Sequence, residues 1–70
     1  MRLSDKTEFD YDGVYTYIGR ALSTATHTDA LWSITRVEHD AVGKVVAVTH
    51  AEGSIDPAFV WSDRRDLEYK

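Results

Sequence analysis

Between residues 30 and 51 the chain reads ALWSITRVEH, then DAVG, then KVVAVTHA. Two runs of β-branched and aromatic residues flank a short loop of turn formers, which predicts a β-hairpin. Gly43 suits the left-handed position of such a loop and would set the register of the second strand. In the first strand, residues 31–39, Trp32 and Ile34 share one face, and Leu31, Ser33, Thr35 and Val37 share the other. In the second, residues 44–51, Val45, Ala47 and Thr49 are expected on one face, with Val46, Val48 and His50 opposite. A hairpin this large in a chain of 70 residues leaves little room for an enzyme site.

The flanking segments extend the same pattern. Residues 1–13 are polar and charged, with Asp5, Glu8, Asp10 and Asp12 close together. They read as an extended, acidic N-terminal arm that orders on contact with a neighbour and ends in the turn Asp12-Gly13. Residues 14–18, Val-Tyr-Thr-Tyr-Ile, read as the first strand of the folded domain, residues 14–70. Gly19 after it permits a bulge or a close backbone approach. Residues 23–29 form a polar loop. Pro57 cannot donate a backbone hydrogen bond and is placed before a short last strand, residues 59–61. Residues 63–66 suit a single helical turn with Ser62 or Asp63 as N-cap. Leu67 and Tyr69 could return an edge to the sheet. Helical periodicity is poor throughout. The fold class is therefore all-β: a small antiparallel meander of four to five strands, with a partly closed barrel as the open alternative.

A chain this short builds only a small core, of about 3–5 kcal/mol net stability, so a staple is expected. With no cysteine, disulfides and thiolate metal sites are excluded. Three histidines remain as possible ligands but do not cluster in sequence, so a partner subunit is the favoured staple and a homo-oligomer is expected, with a well-packed monomer as the alternative. The net charge of −4 argues against a sequence-independent nucleic-acid binder, which needs a positive surface. The apolar content of 43% is too high for a disordered acidic tail. No apolar run approaches the roughly 20 residues that span a bilayer, and no secretory signal is visible. The chain is expected to be soluble, made in a cytoplasm and free of membrane.

No motif specifies a reaction. Asp10-Tyr11-Asp12-Gly13 resembles the start of a calcium loop, but the twelfth position from Asp10 is Ala21, where a glutamate is needed. His27, His39 and His50 would have to converge to bind zinc; each reads as an ordinary histidine. The serines sit in no nucleophile elbow, and no glycine-rich phosphate loop exists. Arg64 and Arg65 could grip a phosphate or a partner carboxylate, though local pairing with Asp63 and Asp66 is the simpler reading. Trp32 and Trp61 read as core, and one of them could instead fill a subunit contact. No enzyme activity and no cofactor are expected.

The order Tyr17-Ile18-Gly19-x-Ala21, Trp32-x-Ile34-x-Arg36-Val37, Gly43, Gly53, Val60-Trp61-x-Asp63-Arg64 and Leu67-x-Tyr69 resembles a group of very small proteins encoded by tailed bacteriophages among virion structural genes. The resemblance spans residues 15–69. It departs where Ser62 is inserted between Trp61 and Asp63, and in the Thr-rich loop before Trp32. It implies a virion component and brings no catalytic residues. The expected function is a structural head, neck or tail accessory protein, made in the host cytoplasm and assembled in multiple copies on other virion proteins. Tyr15, Tyr17, Trp61, Arg64, Arg65 and Tyr69 are the expected contacts. The alternative is a small acidic module that binds a host protein.

Overall fold

In the computed structural model, which describes residues 6–70, the strand patterns lie side by side. In chain order they are β1 (Lys6–Asp12), β2 (Tyr15–Ala21), β3 (Ala30–His39), β4 (Val45–His50) and β5 (Phe59–Val60), followed by a 3-10 turn at Trp61–Asp63. The first four form an antiparallel meander in the order β1-β2-β3-β4, and β5 pairs with β3. This is the small all-β meander expected from the sequence. The barrel alternative does not form: β1 and β4 remain the ends of the strand order. A six-residue β4 and a two-residue β5 offer too little strand to reach round to β1.

One correction concerns the N-terminus. Residues 6–12 were expected in the arm, yet they form β1, paired with β2 from Lys6↔Ala21 to Asp12↔Tyr15. Residues 1–5 of that arm lie outside the described residues. The strand alternates strictly, but with inverted polarity. Lys6, Glu8, Asp10 and Asp12 are half-buried, while Thr7, Phe9 and Tyr11 are exposed. Each inward polar group that matters finds a partner. Lys6 Nζ donates to the Ala25 carbonyl at 2.6 Å, and Asp10 accepts from two arginines. Inward-pointing charge also blunts a sheet edge against unwanted pairing.

Among the described residues, the core lies on one face of the sheet. Tyr17, Ala21, Ala25, Trp32, Ile34, Ala51 and Trp61 form the core there, with Tyr15, Phe59, Leu67 and Tyr69 packed against them. The chain after β5 crosses this face and returns to the β4 end, where Tyr69 bridges Ala51. His50 N–H donates to the Lys70 carbonyl, and Lys70 N–H to the His50 carbonyl. Trp32 and Trp61 stack at 5.5 Å between ring centroids, over Gly19. A Cβ at Gly19 would lie 2.5 Å from Trp61 Cε3 and 2.8 Å from Trp32 Cε3, so the close approach anticipated there is to both indoles.

Two local expectations change. The 3-10 turn begins at Trp61, two residues early, and neither Ser62 nor Asp63 caps it: Val60 is the N-cap, without a side-chain bond. Ser62 is engaged elsewhere, since its N–H and its hydroxyl both donate to the His27 carbonyl at 3.0 Å. In the β3–β4 hairpin, Gly43 adopts φ +86°, as its place in the loop requires. A register shift follows, with Glu38 opposite Ala47 and His39 opposite Val45. The bulge at Val46 therefore moves Val45 to the Val48 side of the sheet, not the Ala47 side.

Candidate functional site

Among the described residues, the second face of the sheet is bare except for the loop after β4 along one side. Its side chains follow from the register: Thr7, Phe9 and Tyr11 on β1; Thr16, Ile18 and Arg20 on β2; Ser33, Thr35, Val37 and His39 on β3; Val45, Val48 and His50 on β4. One row across the strands reads Phe9, Ile18, Thr35, His50, and the next reads Tyr11, Thr16, Val37, Val48. Solvated faces of antiparallel sheets ordinarily carry polar side chains. Here Tyr11 is 76% exposed, Phe9 55% and Val48 56%. Phe9 and Tyr11 stack with centroids 6.4 Å apart and make a ridge along β1. Arg20 is the only formally charged residue among those named on the face.

Beside the ridge lies a groove of about 420 Å³, lined by Ile18, Arg20, Ser33, Thr35, His50, Ile55 and Pro57. Its floor is the sheet, and its far wall is the loop after β4. Ile55 there is 71% exposed. The polar groups of the floor are partly paired with each other, as Thr35 Oγ1 lies 3.1 Å from His50 Nδ1. Thr35 and His50 put a hydroxyl beside an imidazole, but among the described residues no third side chain bonds that ring to orient it. The groove can bury apolar surface. No protein-family model, curated protein or solved structure matches the chain.

The opposite, covered face carries the strongest electrostatic contact. Asp10 Oδ2 accepts from Arg64 Nε at 2.9 Å and from Arg65 Nε at 3.0 Å, and Asp10 Oδ1 accepts from Arg65 Nη2 at 3.0 Å. Arg65 also lies 3.7 Å from Asp12. The local pairing expected of Arg64 and Arg65 with Asp63 and Asp66 is thus replaced by a clamp on β1. The reason is geometric: a planar guanidinium fork matches a carboxylate held broadside, and β1 holds Asp10 that way. The Arg65 hydrogen bond, with help from Arg64 and against partial burial, holds the Asp10 carboxyl below the usual carboxylate range. A depressed acid stabilises the fold above its unfolded value, near pH 4, and that contribution fades as pH falls through the folded value. Asp10→Ala should cost about 1–2 kcal/mol at neutral pH, since a charge-assisted pair is lost but its partners can rehydrate. Urea denaturation of both proteins between pH 2.5 and 7 checks this. The gap should close at the acid end, and a gap constant with pH counts against the clamp.

The expected contact residues fall in two places, both on the covered face. Tyr17 and Trp61 are buried in the chain's own core. Tyr15 and Tyr69 sandwich the Arg36 guanidinium, at 4.5 and 4.8 Å from their ring centroids. Burial raises the Tyr69 phenol well above its ordinary value, and its hydroxyl donates to the Arg64 carbonyl at 2.7 Å. Arg64 stacks on Trp61 at 4.5 Å as well as gripping Asp10. These six residues bind the C-terminal segment to the sheet. The histidines stay apart: His27 stacks near Trp32 and faces Glu8 at 3.5 Å, whereas His39 and His50 are bare-face residues beside Thr16 and Thr35. The residues missed from sequence are Phe9, Tyr11 and Val48. The signal for the first two was their period-two spacing between charged neighbours.

Proposed function

We propose that this protein is a multi-copy structural component of a tailed-phage particle, acting by protein–protein assembly and without catalysis. The observation that carries the reading is the bare, nearly uncharged sheet face with its exposed Phe9–Tyr11 ridge. An apolar patch of this kind on so small a chain is a contact surface or an aggregation liability. The order of motifs from Tyr17 to Tyr69, which resembles small virion proteins, supplies the kind of assembly. The alternative, a small acidic module that binds a host protein, draws on the net charge of −4 and the acidic N-terminal segment, of which Asp10 is already paired with Arg64 and Arg65.

Quantitative mass spectrometry of purified particles tests this. The expected result is a fixed copy number above one per particle. The Tyr11→Lys, Val48→Lys double variant, whose changes touch no core residue, should fold and yet fail to enter particles. Complete absence of the native chain from particles would overturn the reading.

A further inference from the structure

We infer that the bare face pairs with the same face of a second copy, Phe9 of each ridge seated in the groove of the other and Tyr11 packed beside it. The inference rests on the assembly reading only in taking this face as a contact surface; its partner is a second copy of this chain.

Three observations argue for that occupant. The first is shape. Ridge and groove lie on one face and in neighbouring positions, since Phe9 is the register partner of Ile18, which lines the groove. A two-fold axis parallel to the strands, running between β2 and β3, places β1 of each copy over β4 of the other. Phe9 then faces His50 of the partner subunit, inside the groove. The contact is isologous, so one docking fills both grooves and leaves no ridge unpaired.

The second observation is charge. The chain has 12 acidic and 8 basic residues, yet only Arg20 among these lies on the described part of the face. Arg20 is exposed at one end of the groove, where its guanidinium stays in water. A partner recognised by charge would find almost nothing to pair with. Apart from that one arginine at the end of the groove, the face carries no charge that a copy of itself would have to match.

The third is area. Four strands about 4.8 Å apart and roughly seven residues long make a face of roughly 450 Å² in projection, before the side-chain relief is counted. Two such faces, with Ile55 and its loop added, reach the roughly 1,000 Å² that a specific interface requires. Sheets packed in this aligned manner sit about 10 Å apart. The second copy thus supplies the layer that a single-sheet chain lacks on this side.

Sedimentation equilibrium of the full chain, with Phe9→Lys, His50→Glu and the combined variant, tests the pairing. The native chain should be a dimer at about 100 μM. Phe9→Lys should weaken the dimer by at least about 100-fold, because each dimer loses the anchor twice. The combined variant should recover most of that loss, since the new lysine faces the new glutamate across the interface. Rescue within one chain is excluded: the two positions lie about 14 Å apart, three strand spacings along one row. Val42→Lys, in the exposed β3–β4 turn, should leave the dimer unchanged. Circular dichroism of each variant separates dissociation from unfolding. A native chain that stays monomeric overturns the self-pairing, as does a dimer that Phe9→Lys does not weaken or that the combined variant fails to restore. If particles nevertheless contain the monomeric chain, the particle reading stands and the face meets another protein.

Discussion

Gly19→Ala should remove most of this protein's stability at room temperature. The added methyl would sit 2.5 and 2.6 Å from two carbons of the Trp61 ring and 2.8 Å from Trp32. Both rings are buried, and they stack on each other, so neither can retreat without displacing the other. Overpacking of a filled core ordinarily costs about 1–3 kcal/mol, and two rigid rings put this site at the upper end or beyond. A domain of this size holds only about 3–5 kcal/mol. The sign is informative, because Gly→Ala elsewhere in a chain tends to stabilise by about 0.4–1 kcal/mol through the unfolded state. Gly19 does not have a positive φ, so the effect is purely steric. Urea denaturation followed by tryptophan fluorescence gives the answer. An unchanged or raised midpoint would mean that the indoles do not lie over Gly19.

Trp32→Ala should have an effect of similar size for the opposite reason, a void in place of a clash. Trp32 is fully buried, stacked on Trp61, flanked by His27 at 5.8 Å, and its indole N–H donates to the Thr26 carbonyl at 2.8 Å. Truncating a buried tryptophan costs about 3–5 kcal/mol. That is comparable to the whole stability expected here, so no cooperative transition should remain. Trp32→Phe should retain a transition at a lower midpoint, having kept an aromatic ring but lost the Thr26 bond. Calorimetry distinguishes the cases. A sharp unfolding peak for Trp32→Ala near the native temperature would show that the core lies elsewhere.

Where these residues meet was only partly legible beforehand. The β3–β4 hairpin was readable because its signals are local: β-branched alternation and a glycine in a loop. Pro57 before β5 and Tyr69 returning to the sheet were readable on similar grounds. β1 was not, because its alternation puts charge inward. That pattern makes sense only once Arg64 and Arg65, more than fifty residues away in sequence, are seen at Asp10. The six expected contact residues are aromatic or charged, and those same properties bind the C-terminal segment to the covered face. Val45 changed sides because a single-residue bulge reverses the alternation behind it, and nothing in KVVAVTHA marks where the bulge falls.

The sequence by itself determined the strand type, the β3–β4 hairpin, the absence of cysteine and a glycine at position 19 that permits a bulge or a close approach. Those follow from backbone preference and composition, which act over a few residues. Only the tertiary structure decided which side of the sheet the C-terminal segment would cover, and hence which side is left bare. That choice turns on Trp61 packing on Trp32 over Gly19, joined by a carboxylate in β1 meeting two guanidinium groups from the far end of the chain. A contact between distant residues leaves no periodic trace in either segment.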